Sequence, residues 1–288
     1  MSGGLAASAA PDDGRGRDDL DLTLPAAPDE PGLLEAALRA RRAAGHKLLV
    51  PYVTGGLGTD WPEVIRAVAD AGADAIEIGI PFSDPVMDGP IIQAASEQAL
   101  AAGATPAGIL DELATVDAGV PLAVMTYYNI AFRMGLERFA RTLVASGVAA
   151  AILPDLPLEE VGPWATQADA AGVETVLLAA PTAPDERLPR VCARARGFVY
   201  AVGLLGVTGE REALAASSLV IARRLKAVTD KPVLVGVGVS SAAQAVEVCA
   251  EADGVVIGSA LMRRLLDGEG PFGAAEFITS VRAALDAG

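Results

Sequence analysis

The chain has 288 residues, 52% of them hydrophobic, and a net charge of −15 from 22 basic and 37 acidic side chains. That is enough apolar material for a sizeable core, in one large α/β unit of about 250 residues or in two small domains. The acidic excess argues against nucleic acid or an anionic membrane as partner, and a bound phosphate would have to rely mainly on backbone N–H groups and helix N-termini.

Residues 1–31 are rich in Ala, Gly, Pro and Asp and lack apolar periodicity. Asp12, Asp13, Asp18, Asp19, Asp21, Asp29 and Glu30 face only Arg15 and Arg17 there, so the segment reads as a disordered acidic tail. It is neither a basic-then-apolar secretory signal nor, like any other stretch of the chain, an apolar run of the roughly 18–20 residues a membrane span needs. From Gly32 to Gly288 a βα rhythm takes over, opened by a helical stretch that leads into the first strand.

Strands are predicted over 48–54, 75–80, 121–128, 149–155, 174–180, 197–203, 232–237 and 254–258. Amphipathic helices are predicted over 61–71, 90–102, 135–146, 159–171, 185–195, 217–228, 241–251 and 271–286. Eight near-continuous apolar strands, each followed by a helix, point to a parallel sheet closed into a (β/α)8 TIM barrel, a single domain over 32–288. An open dinucleotide-binding sheet would need G-x-G-x-x-G after its first strand, and Thr54-Gly55-Gly56-Leu57-Gly58 does not supply it. The two cysteines, Cys192 and Cys249, fall in helix-like segments, which fits a soluble, reducing, cytoplasmic setting.

In such a barrel the active site lies at the C-terminal strand ends, and that rule removes several mechanisms. His46, the single histidine, precedes the first strand, so a histidine-rich metal site, a histidine base and a Ser–His–Asp triad are all disfavoured. Lys47 and Lys231 also precede strands and Lys226 lies within a helix, which leaves no lysine placed for a Schiff base. Acid/base work falls to carboxylates and tyrosines.

The second strand carries the strongest candidate. Alternation sends Ile76, Ile78 and Ile80 toward the helices and Glu77 and Gly79 into the barrel. A carboxyl in apolar surroundings has its pKa raised toward the range of a general acid or base. The loop that follows is stiffened by Pro81, Pro85 and Pro90 and carries Asp84 and Asp88. Just before Gly89-Pro90, Asp88 is as well placed to cap the next helix as to do chemistry. Asp84 reads as a turn residue. Late in the chain, Gly206-Val207-Thr208-Gly209, Gly236-Val237-Gly238 and Gly258-Ser259 end three successive strands and together form a candidate N–H cradle for phosphate. The polar stretch that runs on to Ser218 is long enough for a closing lid.

These segments together resemble the tryptophan synthase alpha chain family. The resemblance is carried by PYVTGG (51–56), AGADAIEIGIPFSDPVMDGPIIQ (71–93), MTYYNI (125–130), PDLP (154–157), GVTG (206–209), VGVGVSS (235–241) and IGSA (257–260), and spans about residues 34–287. It implies retro-aldol cleavage of indole-3-glycerol phosphate to indole and glyceraldehyde 3-phosphate. Glu77 would be the general acid and base, and Asp88 the partner of the indole N–H. It further implies that Tyr52 and Tyr200 line the substrate, that Gly209, Gly238, Gly258 and Ser259 hold the phosphate, and that Thr208 contacts the loop aspartate on closure. Asn129 and Asp155 match positions of the subunit interface and of site organisation. No metal or cofactor is implied for this chain. Pyridoxal phosphate is expected only in a beta chain, with which an α2β2 heterotetramer would form and to which indole would pass. A stand-alone lyase that releases free indole, and a non-catalytic barrel that regulates the beta chain, are the competing readings. The departures from the family pattern are Leu57-Gly58 for an acidic residue and Pro, Gly203 for Ser, Leu204 for a polar residue, and Ile91 for Thr or Val.

Overall fold

The computed structural model describes residues 24–203, 211–236 and 238–288, the side chains of 211–216 excepted. Eight parallel strands pair in chain order and close on themselves. They are β1 (Leu48–Thr54), β2 (Ile76–Gly79), β3 (Leu122–Met125), β4 (Val148–Ile152), β5 (Glu174–Ala179), β6 (Val199–Ala201), β7 (Val233–Val235) and β8 (Gly254–Ile257). The barrel expected from the βα rhythm is the observed architecture, and Leu48 of β1 pairs with Gly254 of β8 to close it.

The helices that follow the strands are α2 (Trp61–Asp70), α3 (Pro90–Ala101), α4 (Pro106–Leu113), α5 (Tyr128–Met134), α6 (Leu136–Ala145), α7 (Gly162–Ala171), α8 (Arg187–Arg194), α9 (Arg211–Lys226), α10 (Ala242–Cys249), α11 (Ser259–Leu266) and α12 (Gly270–Ala287), with α1 (Leu33–Ala43) preceding β1. Three of them, α4, α5 and α11, lie outside the predicted helix ranges. The first, α4, has a local signal in Thr105-Pro106: the Thr105 hydroxyl accepts the Gly108 N–H at 3.1 Å and Pro106 occupies the first turn. The second, α5, replaces the last part of the strand expected over 121–128. Its first amide, Tyr128 N–H, is accepted by Asp155 Oδ1 at 2.8 Å, a cap supplied from 27 residues away.

Period-two alternation divides the strands, in β2 as expected. Leu48, Val50, Ala123, Ala150, Ile152, Val176, Tyr200, Leu234 and Val256 fill the barrel interior. Leu49, Val53, Ile76, Ile78, Val124, Leu177, Val199 and Val255 pack against the helices. At the N-terminal face Leu34 and Leu38 of α1 plug the barrel, and Glu174 holds that helix by accepting the amides of Leu34 and Glu35 at 2.6 and 3.0 Å.

Ion pairs then lock this face. Asp74 accepts the Leu49 N–H and pairs with Arg41 at 2.6 Å. Asp253 accepts the Val233 N–H and pairs with Arg42 and Lys226 at 3.1 and 2.7 Å. His46 and the three lysines all belong to this end: His46 lies 3.4 Å from Asp286, Lys47 donates to the Ala252 carbonyl, and Lys231 donates to the Ala195 carbonyl. Residues 24–31, the last part of the expected acidic tail, run irregularly against the barrel. Leu24 packs on the core and the Glu30 carbonyl accepts from Arg196. The rest of that tail, residues 1–23, lies outside the described residues. Among the described residues no helix is long and apolar enough to cross a membrane.

Candidate active site

Glu77 projects from the middle of β2 into the barrel, only 1% exposed, and neither carboxylate oxygen has a hydrogen-bond partner among the described residues. Burial, and secondarily the charge of Asp88, raise its pKa to about 8. A carboxyl so placed is a neutral acid near pH 7, able to give up a proton at little cost. Two buried tyrosines flank it. Tyr52 is its paired neighbour on β1, and Tyr200 stands on β6. Burial pushes both phenols above their ordinary range, so both remain protonated.

Each tyrosine depends on a glycine opposite. A Cβ on Gly79 would fall 1.8 Å from the Tyr52 hydroxyl, and one on Gly236 would fall 2.1 Å from the Tyr200 ring. These glycines serve close approach rather than a left-handed turn.

The acidic loop is held to the barrel by a residue the sequence reading did not single out. The Tyr127 hydroxyl accepts the Met87 N–H at 2.8 Å and donates to Asp88 Oδ2 at 3.3 Å. Its ring stacks on Phe82, with centroids 4.9 Å apart. Burial raises the pKa of Tyr127 to about 12, with Asp88 adding to the effect. Burial also raises the pKa of Asp88, against which the Tyr127 hydrogen bond favours the carboxylate. The only sequence signal for Tyr127 is its place in the MTYYNI segment, where a strand residue was expected. Asp88 does not cap α3. The cap position is Gly89, without a side-chain cap, and the Asp88 carbonyl instead accepts from Gln93 at 2.8 Å. Asp84 is exposed and takes a hydrogen bond from Ser83, as a turn residue would.

Asp155, by capping α5 through Tyr128, fixes the backbone beside Tyr127. Asn129 is exposed in the first turn of α5. On the late-strand side, Gly238 adopts φ +81°, a left-handed conformation that favours glycine. The two following helices differ at their N-termini. Ser241 caps α10 by accepting the Gln244 N–H, whereas α11 begins at Gly258 without a side-chain cap, next to exposed Ser259. The open first-turn amides of α11 can therefore meet an anion. Thr208, Gly209 and the start of the expected lid lie outside the described residues, as does Leu204. Of the departures, Leu57 is buried in the core, Gly58 turns at φ +76°, Ile91 packs at the core's edge and Gly203 is half-buried.

A closed parallel barrel with a buried glutamate of raised pKa at its centre, a loop carboxylate that adds to that shift and an uncapped helix start after its last strand has the makeup of a barrel enzyme of the acid/base kind. The profile of the tryptophan synthase alpha chain family matches residues 38–279. The chain is 45% identical over 239 residues to the tryptophan synthase alpha chain of Streptomyces coelicolor, which covers 82% of this chain and 88% of that one. It is 42% identical over 262 residues to the alpha chain of Thermobifida fusca, covering 89% and 97%. Among solved structures, Mycobacterium tuberculosis tryptophan synthase in space group F222 superposes with a TM-score of 0.82 at 36% identity, over 90% of this chain and all of that one. The chain belongs to the tryptophan synthase alpha chain family.

Proposed function

We propose that the chain cleaves indole-3-glycerol phosphate to indole and glyceraldehyde 3-phosphate, with Glu77 as acid and base and Asp88 as partner of the indole nitrogen. The observation that carries this reading is the protonated, partnerless Glu77 beside a hydrogen-bonded Asp88. Glu77 gives its proton to the ring carbon that bears the side chain, and the positive charge that develops on the ring is stabilised by Asp88. The Glu77 carboxylate then takes the proton of the adjacent glycerol hydroxyl. As that C–C bond breaks, its electron pair returns to the ring, the hydroxyl carbon becomes the aldehyde, and the glutamate is again protonated. Tyr52 and Tyr200 wall the indole, while Gly238, Gly258 and Ser259 offer the amides for the phosphate, joined by Thr208 and Gly209.

The product partner is a tryptophan synthase beta chain in an α2β2 assembly that receives indole. Val86 and Met87 of the acidic loop and Phe132 of α5 are exposed apolar side chains near the same mouth, and Asn129 and Asp155 belong to that region. Pyridoxal phosphate is assigned to the beta chain, since Lys47, Lys226 and Lys231 are engaged at the opposite face of this one. Buried, unpaired Cys192 and Cys249 accord with a cytoplasmic setting. Indole release from the purified chain, with and without beta subunit, tests the reading. Strong activation by beta supports the subunit, full activity alone supports a free-standing lyase, and no release under either condition overturns the reaction.

A further inference from the structure

Among the described residues Glu77 has no hydrogen-bond partner, which suits its neutral form but not the carboxylate it becomes once its proton is given away, because an unpaired buried anion is costly. A donor must be close enough to meet that anion. Tyr52 is paired with Glu77 across the β1–β2 ladder, and its hydroxyl occupies the space left by the missing side chain of Gly79. Gly79 is the next inward residue of β2 after Glu77, so the phenol tip lies one inward position beyond the carboxyl, with the Thr54 side chain as its other neighbour. Among the described residues the titratable groups that face Glu77 are Tyr52 from β1, Asp88 from the acidic loop and Tyr200 from β6, and none is cationic. Asp88 opposes a second negative charge, and the ring and hydroxyl of Tyr200 lie against Gly236 of the β7 end.

We propose that the Tyr52 hydroxyl is a positioning donor that receives the Glu77 carboxylate formed during turnover; this rests on the acid/base reading above. As the Glu77 O–H bond breaks toward the indole carbon, the carboxylate accepts a hydrogen bond from Tyr52. The phenol keeps its proton throughout and is released when Glu77 regains a proton from the glycerol hydroxyl. Tyr52 thus sets how readily Glu77 ionises and is more than an aromatic wall.

The test is a titration of the Glu77 carboxyl by infrared spectroscopy, its band identified by loss in Glu77→Gln, in the parent and in Tyr52→Phe. Loss of the donor is expected to move the midpoint up by about one pH unit, a tenfold change in proton affinity. The high-pH limb of kcat/KM for indole release should move by the same amount, with KM nearly unchanged. Fluorotyrosine at position 52, a stronger donor, should move the midpoint the other way. An unmoved midpoint in both variants, at parental melting temperature, overturns the role of Tyr52. A shifted midpoint in a parent that releases no indole upholds the contact and sinks the reaction reading instead.

Discussion

The Tyr127 hydroxyl bridges the Met87 amide and the Asp88 carboxylate, at 2.8 and 3.3 Å, and so ties the acidic loop to the end of β3. One phenol orients Asp88 and favours its carboxylate form against the burial that raises its pKa. Because Asp155 caps the helix that begins one residue later, the orientation of Asp88 depends on loops after three successive strands.

Replacing Tyr127 with Phe keeps the stack on Phe82 and removes only the hydroxyl. A hydrogen bond to a charged group contributes about 1.5–3 kcal/mol, so kcat/KM for indole release should fall by about tenfold to a hundredfold. The melting temperature should change little, and steady-state kinetics beside calorimetry will separate the two effects.

Glu77→Gln should abolish indole release while substrate still binds. Near-normal turnover in this variant would remove Glu77 from the acid/base role. The same variant carries a stability signature with a definite sign. The folded pKa of Glu77 lies near 8, above its unfolded value near 4.5. Its favourable contribution is therefore complete below pH 4.5 and is lost as pH rises through 8. Glutamine stays neutral, so Glu77→Gln should be more stable than the parent at pH 8 by on the order of 3 kcal/mol, and less so at pH 5. Urea melts at both values check this.

Asp155→Ala removes the cap of α5 and should cost about 1 kcal/mol of stability. Since Tyr127 immediately precedes that helix, indole release should fall as well, more than it does on alanine replacement of exposed Asp84. Equal effects of the two substitutions on kcat would detach Asp155 from the organisation of the site.

Asp253→Ala strips the Val233 amide, Arg42 and Lys226 of a common acceptor at the N-terminal face. A loss of about 1–3 kcal/mol is expected, because the buried Val233 amide is left without its acceptor while half-buried Arg42 and Lys226 lose a carboxylate partner. The folded fraction should keep the parental kcat, since this face is remote from Glu77. Unfolding midpoints and active-site-normalised rates measure the two quantities separately.

What the sequence by itself determined rests on local period and on elimination. Alternation through Ile76, Glu77, Ile78 and Gly79 places the glutamate inside the barrel wherever its neighbours fall, because side-chain direction reverses at every strand residue. The positions of His46, Lys47 and Lys231 set histidine and lysine aside by chain order, with Lys226 inside a helix, because the entry and exit ends of a parallel barrel's strands lie on opposite faces. Resemblance to the family brought forward the same glutamate together with Asp88. Tertiary structure alone decided whether Asp88 caps a helix or meets a phenol, since Tyr127 lies 39 residues further along the chain. It also decided that Gly79 and Gly236 serve Tyr52 and Tyr200, as these contacts exist only once the barrel closes. Periodicity reports which way a side chain points; what it meets there depends on residues brought together by folding.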